Sequence, residues 1–106
     1  MINRALKIIR QYHKMKQTEL SEKLGISKSY LSEIESGKKP VSYNLLEKYS
    51  LIFDIKTSSL VFFSESLGQK NKLSEKFRAA FAGKIIKIME WVIEGNDSKK
   101  EASSKN

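Results

Sequence analysis

Residues 17–37 read QTELSEKLGISKSYLSEIESG, and the spacing of their apolar positions decides the fold. Leu20 and Leu24 are four apart, as one face of a helix requires, but Ile26 follows after two residues, and Leu31 and Ile34 then resume a spacing of three. Two short helices joined by a tight turn would produce this pattern. Gly25 ends the first by supplying the left-handed backbone conformation that other residues adopt at a cost. Ser27 is placed to cap the next helix, because its hydroxyl can accept from an otherwise unpaired amide in the first turn. That helix should run to about Ser36, with Gly37 as its stop.

Working outward, Ile2, Leu6, Ile9 and His13 share one helical face, with Arg4, Lys7, Arg10 and Lys14 around it, so a first helix is expected over Asn3 to His13. Met15 and Lys16 bridge to the second helix, Gln17 to Leu24, whose inward stripe is Leu20 and Leu24 beside the small Ser21. After Lys38, Lys39 and Pro40, Ser42 can cap a fourth helix carrying Leu45, Leu46, Tyr49 and Phe53. Asp54 then turns the chain into a short fifth helix, Thr57 to Phe63, with Leu60 and Phe63 inward. The polar stretch SESLGQKNK at 64–72 reads as a linker. From Leu73 to Ile93 the apolar residues at 73, 77, 80, 81, 85, 88, 89 and 92 cover nearly half of a helix circumference, wider than a coiled-coil seam. Gly83 weakens or breaks that helix midway. The expected organisation is a folded domain over 1–64, a linker over 65–72, a helical extension over 73–94 and a disordered tail over 95–106, where GNDSKKEASSKN has no apolar content beyond one alanine.

Composition narrows the function. A chain of 106 residues with 40% hydrophobic content supports one small core. It has no cysteine, which removes disulfides and thiolate metal sites and leaves Zn²⁺ only His13 and carboxylates; no metal or cofactor is expected. The opening MINRALKIIRQY is not read as a signal peptide, since Lys7 and Arg10 interrupt the apolar run and no small-residue cleavage pattern follows. No stretch approaches the ~20 apolar residues that span a bilayer, so a cytoplasmic protein without a membrane partner is expected. The formal net charge of +8 favours a polyanionic partner, although a solvated basic surface would account for the charge alone. GxxxxGK[ST], HExxH and GxSxG are all missing, and no base arrangement surrounds the single histidine. The chain is not read as an enzyme, and His13 is expected to be a helix-end residue.

Two helices joined by a short glycine-containing turn form the helix-turn-helix unit, whose second helix can enter the major groove of DNA. The segment resembles the Cro/repressor-type helix-turn-helix of the Xre family of bacterial and phage transcriptional regulators. It matches at Gln17, Leu20, small Ser21, Leu24, Gly25, Ile26, Leu31, Ile34, Glu35 and Gly37. Leu6 and Arg10 resemble the family's first helix, and PVSYNLLEKYSLIFDIKTSSL its fourth and fifth, so the resemblance covers residues 3 to about 64. It implies an all-α fold, a five-helix lambda-repressor-like DNA-binding domain, here followed by the C-terminal helical extension. One departure is Lys16, where the family commonly has serine or threonine; the lost cap is worth on the order of 0.5–2 kcal/mol.

Within that frame the polar face of the third helix is the reading face, and base contacts are expected from Lys28, Ser29, Ser32 and Glu33. Small serines let the backbone approach base edges, and Lys28 can donate to guanine O6 or N7. Glu33 either accepts from cytosine N4 or repels phosphate and so discriminates between sites. Tyr30 lies between the faces and serves packing or DNA contact. For phosphate, the resemblance implies Gln17 at the start of the second helix, where exposed amides and the helix dipole favour an anion. Lys38 and Lys39, with Ser42, Tyr43 and Asn44 at the next helix start, form a second phosphate clamp by the same reasoning. Arg10 and Glu35 resemble the family's internal ion pair between first and third helices. Phe77, Phe81, Ile85, Ile88 and Val92 are left over once the five-helix core is closed, and they are expected to form a homodimer interface, with packing back on their own domain as the rival arrangement. The resulting expectation is a sequence-specific regulator of double-stranded DNA, a repressor on a palindromic operator. The alternative is an antitoxin or adaptor whose C-terminal helix binds a second protein, a toxin or another regulator, with DNA binding kept for autoregulation.

Overall fold

The computed structural model describes residues 2–67 and 84–96. Its helices are α1 (Ile2–Tyr12), α2 (Gln17–Leu24), α3 (Lys28–Ser36), α4 (Tyr43–Phe53), α5 (Thr57–Ser66) and α6 (Lys84–Ile93), and no strand occurs among the described residues.

The turn chemistry sets these boundaries. Gly25, at φ 75°, closes α2, and the amides of Gly25 and Ile26 donate to the carbonyls of Glu22 and Ser21. Ser27 Oγ accepts from the Tyr30 amide at 3.0 Å, and Ser42 Oγ from the Leu45 amide at 3.1 Å, so α3 and α4 each begin at a serine cap. Asp54 ends α4 in the left-handed region at φ 56°, which aspartate tolerates better than most side chains. Lys16 gives α2 no side-chain cap, as its side chain dictates.

Helix α1 is the central element, packed against α3, α5 and α6. It therefore buries Ala5, Leu6, Ile8 and Ile9 together, a broader band than the face through Ile2, Leu6, Ile9 and His13, and Ile2 is only half-buried. Leu20, Leu24, Leu31, Ile34, Leu45 and Phe53 join the same core. His13 does sit at the helix end, where its Nδ1 lies 2.7 Å from the Ile9 carbonyl and its ring lies against Phe53.

Two boundaries and one packing assignment differ from the sequence reading. Helix α5 continues to Ser66 and Leu67 is buried, so the linker does not begin at residue 65. Leu60, Phe63, Ser64 and Leu67 recur at helical spacing on one buried face, and Ser66 satisfies its hydroxyl by donating to the Phe62 carbonyl at 2.9 Å. At the other end, Gly95 adopts φ 82° with its amide on the Val92 carbonyl, and Asn96 Nδ2 donates to the Trp91 carbonyl, so these two residues close α6 instead of starting a tail. Residues 97–106, the stretch 68–83 with Phe77 and Phe81, and the effect of Gly83 lie outside the described residues.

The third difference concerns the extension. Ile85, Ile88, Met89 and Val92 are buried in the core of their own chain, where α6 packs on α1 and α5. Lys84 Nζ donates to the Phe53 carbonyl at 2.7 Å, placing a cation at the C-terminal end of α4. Trp91 meets Tyr12 edge to face, with ring centroids 5.6 Å apart. The assignment of Ile85, Ile88 and Val92 to a dimer interface is thereby corrected: their surface is already covered. Docking within one chain buries it without the translational and rotational cost that association with a second molecule carries.

Candidate nucleic-acid interface

The angle at which α3 is presented is set by one buried carboxylate. Glu35, whose side chain is 2% exposed, receives Arg10 Nε at 2.7 Å and Arg10 Nη2 at 2.9 Å, a two-point guanidinium pairing from α1. Its Oε1 also accepts from Gln17 Nε2 at 2.9 Å. Arg10 uses its remaining terminal nitrogen, Nη1, to reach the Met15 carbonyl at 2.9 Å. One guanidinium therefore ties α1, the α1–α2 turn and α3, while Gln17 ties the start of α2 to the same carboxylate.

Tyr49 of α4 lies in the same electrostatic neighbourhood. Burial holds its phenol well above the ordinary value, the Glu35 charge adds to that rise, and Arg10 opposes it. The hydroxyl is buried and makes no hydrogen bond among the described residues. The far end of α3 is held from α1 as well: Asn3 Nδ2 donates to the Glu35 carbonyl at 3.3 Å. A Cβ at Gly37 would come within 3.2 Å of that same nitrogen, so the close approach and the φ of 88° both call for glycine there. Lys48 Nζ binds the Leu24 carbonyl at 3.2 Å and so fastens α4 to the end of α2.

With its inner side fixed through Leu31, Ile34 and Glu35, α3 leaves Lys28, Ser29, Ser32 and Ser36 exposed, Glu33 half-buried and Tyr30 37% exposed. Of the expected reading residues, Lys28, Ser29 and Ser32 thus share an open face and Glu33 lies half-buried beside it, on a helix whose other face is packed and hydrogen-bonded. Around it, the amides of Lys38 and Lys39 both donate to the Glu33 carbonyl, which turns the chain sharply after Gly37 and leaves both lysine side chains exposed. Ser42, Tyr43 and Asn44 are exposed at the start of α4, and Ser42 spends its oxygen on the cap while its hydroxyl proton remains to donate. Gln17 is half-buried, with its side-chain amide engaged by Glu35. Its bracing role was not legible in the sequence, nor was that of Asn3, because each depends on a carboxylate or carbonyl more than fifteen residues away. The tie from Lys48 to the Leu24 carbonyl is hidden from the sequence for the same reason.

No described helix is long and apolar enough to cross a membrane. Comparison with curated proteins gave no match, and neither did comparison with solved structures. A family model described as helix-turn-helix matches residues 6–60, just over half of the chain. That span contains Arg10, Glu35, both serine caps and the two turn glycines around α3, and the chain belongs to the Cro/repressor-type helix-turn-helix family of DNA-binding transcription regulators.

Proposed function

We propose that the chain is a repressor that binds a palindromic operator as a homodimer, with α3 in the major groove. Lys28, Ser29, Ser32 and Glu33 read base edges, while Gln17, Lys38, Lys39, Ser42, Tyr43 and Asn44 hold phosphates. The observation that carries this reading is the exposed strip of Lys28, Ser29 and Ser32 on a helix pinned from behind by Arg10, Glu35 and Gln17. A strip backed this firmly, whose Lys28, Ser29 and Ser32 side chains make no hydrogen bond among the described residues, is suited to reading an external surface, and the net charge of +8 suits a polyanion. A single reading helix contacts few base pairs, whereas a two-fold pair reads two half-sites about 34 Å apart and gains affinity from both. The antitoxin or adaptor alternative loses support, because Ile85, Ile88 and Val92 of its docking helix are occupied within their own chain.

Selection of bound duplexes from random DNA tests the reading. Lys28→Ala and Ser32→Ala should change which bases are recovered, with a loss of roughly 1–3 kcal/mol where a good base contact disappears. Lys38→Ala should weaken all duplexes alike and lower the salt dependence by about one unit. Recovery of the same sequences by Lys28→Ala and wild type would show that α3 does not read through this face.

A further inference from the structure

Helix α6 lies outside residues 6–60, the span that the family model matches, yet it grips the end of α1. Trp91 meets Tyr12 edge to face at 5.6 Å between ring centroids, Tyr12 meets His13 in the same way at 5.3 Å, and the His13 ring lies 4.6 Å from that of Phe53. Lys84 Nζ then donates to the Phe53 carbonyl. These contacts begin and end on α6, so they form a closed circuit through the end of α1 and the last residue of α4.

The chain leaves α1 in a conformation that needs such support. Lys14 adopts φ 55°, the left-handed region that strains a lysine and suits a glycine. The Lys14 amide donates to the Gln11 carbonyl at 2.9 Å and the Met15 amide to the Arg10 carbonyl at 3.2 Å, which closes the turn. A residue in this region persists where its surroundings over-determine it. Here the turn is held from two sides. The α6 circuit holds Tyr12 and His13 before Lys14, and Arg10 Nη1 holds the Met15 carbonyl after it. Arg10 is also the side chain that pairs with Glu35, and Gln17, three residues past Lys14, donates to the same carboxylate. The α1–α2 turn therefore stands between α6 and the reading helix, and a shift on its α6 side displaces the groups that fix the angle of α3.

We propose that Trp91 is a positioning residue for DNA reading. It touches no DNA itself. Seated on Tyr12, it holds the left-handed turn at Lys14, and through Arg10 and Gln17 it fixes the orientation in which α3 presents Lys28, Ser29 and Ser32. The proposal rests on the reading of bases by α3 given above. A lysine on its flexible stem follows a phosphate through a small tilt of α3, whereas a base contact does not, so loosening the turn costs specific recognition more than general attraction to DNA.

The test compares full-length Trp91→Ala, Trp91→Phe and Lys84→Met with wild type on a duplex recovered by the selection above and on an unrelated duplex, at a temperature where far-ultraviolet circular dichroism shows the protein folded. Trp91 is half-buried and Lys84 exposed, so both replacements leave Ile85, Ile88, Met89 and Val92 in the core. Trp91→Ala and Lys84→Met should each lower the ratio of specific to unrelated affinity at least about fivefold, the lower end of coupling between linked sites. Trp91→Phe keeps a ring for Tyr12 and should restore the ratio. Lys14→Gly removes the strain and should recover part of the ratio in Trp91→Ala, while leaving it unchanged in wild type. A purely stabilising role for Trp91 would leave the ratio of folded molecules as it is. An unchanged ratio in folded Trp91→Ala, or in Lys84→Met where Trp91→Ala does not fold, overturns the proposal. Selection with Lys28→Ala separates this failure from that of the underlying reading. Shifted sequences together with an unchanged ratio sink the role of Trp91 alone, whereas sequences unaltered by Lys28→Ala sink base reading by this face and the positioning role with it.

Discussion

Replacing both members of the Arg10–Glu35 pair should cost far less than the single replacements together. In Arg10→Leu, the Glu35 carboxylate, 2% exposed, keeps only the Gln17 amide as a donor, so a nearly buried charge is left uncompensated at a cost of about 3–5 kcal/mol. In Glu35→Leu, the guanidinium, 12% exposed, keeps only the Met15 carbonyl, and Gln17 loses its acceptor, for a similar loss of about 3–5 kcal/mol. The double variant strands no charge. What remains is the Met15 carbonyl and the Gln17 amide without their partners, worth about 1–3 kcal/mol, so the coupling should be at least about 3 kcal/mol. Against a total stability of about 5–15 kcal/mol for a domain of this kind, either single change is a large fraction of the whole. Urea unfolding followed by far-ultraviolet circular dichroism measures all four corners of the cycle. Losses that add to within about 0.5 kcal/mol would refute the claim that this pairing is what fixes α3.

Tyr49→Phe removes a buried hydroxyl that has no partner among the described residues, so stability at neutral pH should hold or rise, by up to about 1 kcal/mol. The same phenol gives a pH signature. Its folded value is raised, so its contribution is complete below the unfolded value near 10 and is lost as pH rises from there toward the folded value. Alkaline unfolding should therefore be shallower in Tyr49→Phe than in wild type; parallel curves in pH-dependent urea titrations would contradict the assignment. Gly25→Ala and Gly37→Ala both force alanine into a left-handed conformation costing about 1–2 kcal/mol, but only at Gly37 does the new Cβ press on Asn3, so thermal denaturation should show the larger loss there. Ile88→Ala should lower stability by about 2–5 kcal/mol at every protein concentration, because Ile88 is a core residue of its own chain; a loss that vanishes on dilution would return it to an intermolecular interface.

The elements that could be read from sequence are those governed by local chemistry. Gly25, Ser27, Gly37 and Ser42 each act on backbone within a few residues, and the stops and starts of α2, α3 and α4 follow from them. The alternation of Leu20, Leu24, Leu31 and Ile34 similarly marks which sides face inward, and by subtraction exposes Lys28, Ser29 and Ser32. Where a residue's role depends on distant chain, the residues by themselves are silent or misleading, and the Arg10–Glu35 pair is reached only through the family resemblance. The single stripe through Ile2, Leu6, Ile9 and His13 leaves out Ile8, which is buried because the helix is covered on several sides. Ser64 and Ser66 looked like linker residues because polarity was weighed above the spacing of Leu60, Phe63 and Leu67. The same error of bookkeeping governed α6: its apolar residues were counted as surplus to a closed core, when α1 and α5 still had a face to cover.

The contact between Trp91 and Tyr12 has a practical consequence. The chain has one tryptophan, and it lies on α6 with its ring partner on α1, away from the residues assigned to base reading. Its emission is therefore an optical gauge of whether α6 is seated. Undocking of α6 would move the indole into water and shift its emission to longer wavelength, even while the far-ultraviolet signal of the other helices persists. Events on the α3 face would leave that colour unchanged. A single spectrum thus separates loosening of the C-terminal helix from loss of the fold it braces, with no label introduced.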